Sequence, residues 1–345
     1  MNTAEAQGAL NVNTAILLAA GNGSRDGRPA LIRPNTLGEI NMGDRGTTNA
    51  FDMLTADLGR SGIKNLIVVV NEEGFVRPDF NITEYQLRSW IEGRDALAAK
   101  FGEQGKKQAI IDEVLPRMHG IEEVRFVYQP AETYGNQKAV AAILDVLEES
   151  QLPNGYKPTA VAQAHPAEPF VRPIEAVCIV NGDGIYFNED GTSEISGLID
   201  LANAKQADGA VLTTEERNMT SGIYPYGIIR YDEQDPERLI EMIEKGNAAE
   251  LQIPGDTIDA NAGAYVLRLS HLVQPLWDYG TFTLAELYRP EYWITDVVGN
   301  MAQAGSYIVT KQAKNRLTDC SNSVYREAAA ALLKPHFPLH PLYQK

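Results

Sequence analysis

The run AILLAAGNGSR at 15–25 passes from apolar residues into two glycines one residue apart and then an arginine. A buried parallel strand ending in this way offers phosphate chemistry. Free backbone N–H groups converge on negative charge, glycines let the backbone approach a ligand without a Cβ in the way, and Arg25 adds a planar fork of donors. A plain strand-to-loop turn is the alternative. Further along, VNGDGIYF sets Asp183 between Gly182 and Gly184 directly after the apolar run VCIV. Open α/β sheets take ligands at that end of a strand, and small neighbours leave room for a metal and phosphates. NGDG is also good turn chemistry.

Familiar phosphate loops fit the first motif poorly. The dinucleotide fingerprint requires a third glycine where this chain has Asp26; Gly27 comes one step late and Pro29 follows. No acidic residue closes the second apolar run, LIVVVN, which argues further against a nicotinamide-dependent dehydrogenase. The Gly-Lys-Ser/Thr of a P-loop is absent. Among the histidines 119, 165, 271, 336 and 340 only 336 and 340 stand four apart, with Pro338 between them, and none reads as a metal ligand. Trp90, Trp277 and Trp293 read as core or interface anchors.

Composition bounds the rest. At 345 residues the chain can bury a large core, and 44% hydrophobic with 22% charged residues is ordinary for a folded globular protein. A net charge of −16 argues against non-specific binding to nucleic acid or to an anionic membrane, whose phosphates attract cationic surfaces. With only Cys178 and Cys320 there is no disulfide framework or cysteine-rich zinc cluster, and a reducing, cytoplasmic setting is expected. The first residues lack a basic region before an apolar one, and no run approaches the ~20 apolar residues of a membrane span.

Those chemical residues need a frame, and the pattern supplies one. After a mobile, polar N-terminal tail at 1–13, a strand is expected at 15–20, a helix at 48–61 with Phe51, Leu54 and Leu58 at 3/4 spacing and Gly62 as its cap, and a strand at 66–70. Residues 83–118 read as helical and 124–128 as a strand. A helix follows, with Ala139, Ile143, Val146 and Leu147 on its apolar face. Five prolines in 151–173 predict an irregular excursion or lid. Strands are expected at 177–180, 210–213, 264–269 and 306–310, a strand pair around GIIRYD and ERLIEMIEK, and helices near 196–205, around Trp277 and Thr295, and at 322–333. This predicts a doubly wound, Rossmann-like mixed sheet with an inserted β-rich lobe. It occupies 14–330, followed by a C-terminal tail at 331–345 that reads as a surface strap or a homo-oligomer contact.

Taken in order, AILLAAGNGSR, SGIKNLIVVV, QPAETYGNQKA, VNGDGIYF, PYGIIRYD, IEKG, NAGAYVL, ITDVV and TDCSNSVYREA resemble the sugar nucleotidylyltransferases, or NDP-sugar pyrophosphorylases, over about residues 14–330. Glucose-1-phosphate thymidylyl- and uridylyltransferases are the nearest by pattern. The resemblance implies the nucleotide-diphospho-sugar transferase fold and condensation of a nucleoside triphosphate with a sugar 1-phosphate, giving an NDP-sugar and pyrophosphate with Mg²⁺ as cofactor. By the same resemblance Arg25, Arg33 and Asp183 are catalytic, and Ala20, Gly21, Gly23, Ser24, Gln129, Gly135 and Gly182 hold the nucleotide. Tyr226, Gly227, Glu244, Lys245, Asn261 and Gly263 bind the sugar phosphate, and Asp183 and Asp319 hold the metal. Bland readings stand beside these: a helix N-cap for Asp319, a helix-capping loop residue for Gln129, a solvated face for the Glu244–Lys245 pair, and close-packed strand glycines for Gly227 and Gly263.

Two departures from the family pattern matter. The family follows its arginine with a proline-lysine pair about ten residues on, whereas this chain reads SRDGRPALIRPNTLGEIN and has no lysine between Arg25 and Lys64. Arg28 or Arg33 would have to carry that charge, and a guanidinium is larger and planar. The family also places Gly-Thr after the second aspartate, where this chain has Cys320 and Ser321. A nucleotide-binding regulatory protein without turnover therefore stays open, as does a glycosyltransferase that consumes an NDP-sugar. The latter class usually carries Asp-x-Asp, and 183–185 reads DGI.

Overall fold

Residues 9–19, 39–41, 47–71, 120–129, 140–158, 160–164, 166, 169–170, 172–188, 190–224, 226–244, 246–282, 293–314, 318–319 and 323–333 are described by a computed structural model. In chain order the strands are β1 (Thr14–Leu18), β2 (Glu39–Asn41), β3 (Thr47–Asn49), β4 (Asn65–Asn71), β5 (Glu123–Gln129), β6 (Ala176–Asn181), β7 (Gly184–Ile185), β8 (Gly209–Arg217), β9 (Ile228–Tyr231), β10 (Leu239–Ile243), β11 (Thr257–Arg268), β12 (Ile308–Gln312) and β13 (Thr318–Asp319). The helices are α1 (Ala50–Arg60), α2 (Ala160–Ala164), α3 (Glu194–Lys205), α4 (Ala248–Leu251), α5 (Leu269–Phe282), α6 (Ile294–Gln303) and α7 (Ser323–Leu333).

The apolar runs become the centre of one mixed sheet. β6, β1, β4 and β5 lie side by side and parallel, and β11 joins antiparallel to β6. Strands with both faces covered should be apolar throughout, and alternate residues indeed enter two different cores. Leu17, Leu66, Val68, Cys178 and Val180 pack with Phe51, Leu54 and Leu58 of α1 and Ile195 and Leu198 of α3. Ile16, Ile67, Val69, Val177 and Ile179 pack with Leu272 and Leu276 of α5 and Val297, Val298 and Met301 of α6. This is the doubly wound, Rossmann-like arrangement the sequence predicts.

Local chemistry explains the boundaries. α1 ends where Gly62 takes φ +90°, letting the Ile63 N–H reach the Leu58 carbonyl (3.1 Å) and the Gly62 N–H that of Gly59 (3.1 Å). α3 starts at Ser193, whose hydroxyl accepts from the Ser196 N–H (3.1 Å).

The structure also departs from expectation. In the 139–147 segment the described residues are α-helical at 140–141 and then wind more tightly, as a 3-10 helix at Ala142–Val146, with Ile143, Val146 and Leu147 buried as predicted. The proline-rich stretch contains a short helix, α2, between Pro158 and Pro166, where two prolines bracket a five-residue turn without entering it. Its described residues are anchored: Phe170 is buried, the Gln151 side chain donates to the Ile174 carbonyl (2.7 Å), and the Tyr156 ring meets Trp277 edge-on at 5.5 Å. The expected β-rich lobe is continuous with the main sheet, because β9 and β10 attach through β11. The predicted helical stretch at 83–118 and residues 1–8 and 334–345 of the tails lie outside the described residues. The end of the expected N-terminal tail is packed instead: Leu10 and Val12 are buried in the first core, and the Leu10 N–H donates to the Asn203 side chain (2.6 Å).

Candidate active site

The register of the parallel strands aligns one rim. Asn181 pairs with Leu18, Leu18 with Val69, and Val69 with Val127. Gln129, the last residue of β5, and Asp183, just beyond β6, each stand two residues past that row. They share the C-terminal edge of the sheet, three strand spacings or about 14 Å apart, a span suited to a nucleoside phosphate. Between them the chain leaves β1, with the Ala19 N–H on the Val69 carbonyl (2.9 Å) and the Gly182 N–H on the Leu18 carbonyl (3.0 Å). Ala20, Gly21, Gly23, Ser24, Arg25 and Arg33, which follow β1 in sequence, lie outside the described residues, as do Gly135 and Lys245.

A second pairing brings the two aspartates of the sequence reading into one place. β13 runs antiparallel to β7, with Thr318 opposite Ile185 and Asp319 opposite Gly184. Asp319 is thus beside the residue next to Asp183, despite 136 positions of sequence between them. Magnesium asks for one or two carboxylates and takes its remaining ligands from phosphate oxygens and water, so it needs no larger set of protein ligands than two aspartates. Among the described residues no group of three or more His, Cys, Asp and Glu side chains forms a self-sufficient metal cage.

Tyr186 holds this corner together. Its buried hydroxyl donates to the Gly263 carbonyl (2.9 Å) and accepts from the Asn181 N–H (3.3 Å), tying the end of β6 to β11. Burial raises its pKa well above the usual phenol value. The Asp183 charge adds to that shift, and the Asn181 N–H opposes it. Gly184 must be small, since a Cβ there would lie 2.6 Å from the Tyr186 ring carbon Cζ.

The third part of the site is built around an irregularity. β11 changes register between Asn261 and Tyr265: its first half pairs with the outer half of β8, and its second half with β6 and the inner half of β8. Gly263 lies in this bulge at φ +76°, and a Cβ on it would overlap the Asn181 side-chain amide. The Asn261 carboxamide accepts from the Gly263 N–H (3.0 Å) and donates to the Tyr265 hydroxyl (2.6 Å), while its backbone N–H bonds the Gly227 carbonyl (2.8 Å). Tyr265 is fully buried; its pKa is raised by that burial and then by the nearby Glu244 charge, and the Asn261 bond opposes the rise.

Glu244 sits just past β10, where its Oε2 accepts from the buried Thr295 hydroxyl (2.9 Å) in the first turn of α6. A Cβ on Gly227 would come within 2.8 Å of that same oxygen and 3.0 Å of Thr295 Cγ2. Gly227, Glu244 and Asn261, far apart in sequence, therefore form one cluster, with half-buried Tyr226 adjoining it in the chain. Tyr186, Tyr265 and Thr295 carried no role in the sequence reading, although each lies within a motif quoted there. Their function is to hold other residues, and no periodicity or spacing connects them to their partners.

Solved structures share this fold. A UDP-glucose pyrophosphorylase complexed with UDP-glucose superposes with TM-score 0.63 at 15% identity, covering 94% of this chain and 100% of that one. UDP-glucose pyrophosphorylase from Acinetobacter baumannii gives 0.61 at 16% identity over 95% of each chain. A putative glucose-1-phosphate thymidylyltransferase from Bacillus anthracis gives 0.56 at 14% over 93% of this chain and 95% of that one. No protein-family model and no curated protein matches the sequence. No described helix is long and apolar enough to cross a membrane.

Proposed function

We propose that this protein is a sugar-1-phosphate nucleotidylyltransferase, condensing a nucleoside triphosphate with a sugar 1-phosphate to yield an NDP-sugar and pyrophosphate. The observation that carries this reading is the pairing of β13 with β7, which sets Asp319 opposite Gly184 beside Asp183 on the rim that also bears Gln129. The shared fold and the Glu244–Asn261–Gly227 cluster support it.

In this reaction an oxygen of the sugar phosphate attacks the α-phosphorus, and the bond to the β-phosphate oxygen breaks to release pyrophosphate. No covalent nucleophile on the protein is needed, so catalysis consists of alignment and charge neutralisation. Asp183 and Asp319 would hold Mg²⁺, which when bound withdraws charge from the reacting phosphate. Arg25 and the glycine loop, Ala20, Gly21, Gly23 and Ser24 with Gly182, take the triphosphate, and Arg33 takes the place of the missing lysine. Gln129 reads the base edge, with Gly135 as a second nucleotide-binding residue. A buried amide discriminates because a wrong base leaves it unpaired. Glu244 and Asn261 receive sugar hydroxyls beside Tyr226, Gly227 and Gly263, and Lys245 receives the sugar phosphate.

Pyrophosphate release from a panel of nucleoside triphosphates and sugar 1-phosphates tests this reading, and silence across the whole panel overturns it. The missing lysine favours a second reading, nucleotide binding without turnover. Under that reading the same panel shows thermal stabilisation by a triphosphate but no pyrophosphate; a ligand at 100 times its Kd adds about 2.7 kcal/mol.

A further inference from the structure

We infer that Thr295 is the positioning residue for sugar recognition: its hydroxyl orients the Glu244 carboxylate, making the first turn of α6 part of the sugar-phosphate pocket. This rests on the reading of Glu244 as a sugar-hydroxyl ligand. Three observations carry it. The Thr295 side chain is buried, and a buried hydroxyl must spend its proton; it spends it on Glu244 Oε2 at 2.9 Å. A threonine adds nothing to helix propensity at this place, and the apolar stripe of α6 is already supplied by Ile294, Val297, Val298 and Met301. Gly227, beside both groups, has no side chain to displace the same oxygen, since a Cβ there would lie 2.8 Å from it.

The arrangement also suits the helix end. Trp293, the N-cap residue, makes no side-chain capping bond, and a carboxylate held at the first turn lies where the helix dipole favours negative charge. A sugar ligand gains from a carboxylate already locked in orientation, because less rotamer entropy is lost on binding.

Steady-state kinetics on the full chain test the inference. Thr295→Val keeps the shape and removes the hydroxyl; KM for the sugar 1-phosphate should rise about tenfold to a hundredfold, with KM for the triphosphate unchanged. Thr295→Ser restores the donor and should recover most of the affinity. Gly227→Ala, which crowds the same bond, should reproduce the valine phenotype and decides the matter where Thr295→Val does not fold. An unchanged sugar-phosphate KM in the folded valine variant, or equal losses for valine and serine, overturns this inference alone. A wild-type chain that turns over no pair in the panel overturns both it and the proposed function.

Discussion

The two ends of the candidate site are built on different principles. On the rim of the parallel strands, Asp183 and Gln129 owe their positions to backbone register, and glycines beside Asp183 open the space. At the far end, Glu244 owes its position to a side-chain hydrogen bond from Thr295 on another element, and Asn261 to one that it donates to Tyr265 across the bulge in β11. A rim set by the ladder survives the loss of any one side chain as a shape. A cluster set by side chains loses its geometry with one hydroxyl.

The comparison can be broken most sharply at the rim. Asp183→Ala should lower kcat by at least about 10³-fold while leaving the melting temperature within a few degrees; near-normal turnover would remove Asp183 from the chemistry.

Next in size is a pH effect behind the rim. Asp57 is buried on α1, and burial pushes its pKa up to about 7, with Glu194 adding to the rise and the Ser193 hydroxyl and Arg60 opposing it. Neither carboxylate oxygen has a hydrogen bond of good geometry among the described residues. The neutral acid is therefore the form the folded state prefers. Its stabilising contribution is complete below about pH 4, falls as pH rises to about 7, and totals up to about 4 kcal/mol. Asp57→Asn should remove this slope: denaturant melts of the two proteins should nearly coincide at pH 4 and diverge by pH 8 in favour of the asparagine. Parallel curves across that range would count against a neutral Asp57.

The seam between the two regions comes third. Gly263→Ala combines a left-handed φ with overlap of the Asn181 amide, so it should cost about 1–3 kcal/mol in unfolding free energy and impair both substrates together. The smallest effects separate the regions. Gln129→Ala should raise KM for the triphosphate about tenfold and spare the sugar phosphate, and Glu244→Gln should do the reverse. If each variant raised both constants equally, the two ends would act as one pocket.

Legibility follows the same divide. The β1–α1–β4 unit could be read from LIVVV, from Phe51, Leu54 and Leu58 at helical spacing, and from Gly62 at the cap, because each signal lies within a few residues of the structure it specifies. The position of Asp183 at the C-terminal end of β6 was legible because the apolar run VCIV marks the strand that ends just before it. The 3-10 turn at 142–146 was missed, since its apolar spacing also suits an α-helix and the tighter winding is settled by packing. Thr295 was missed for a related reason: it is 51 residues from Glu244, and nothing local marks the bond.

Amino-acid order alone sufficed for the doubly wound sheet, for the C-terminal edge of its strands and for the glycines flanking Asp183, all of which depend on short-range periodicity and backbone freedom. Folding in three dimensions was needed to bring Asp319 beside Gly184, to attach β9 and β10 to the main sheet through β11, and to set a threonine hydroxyl on Glu244. Strand pairing and buried hydrogen bonds join residues by proximity in space, and a one-dimensional pattern carries no measure of that distance.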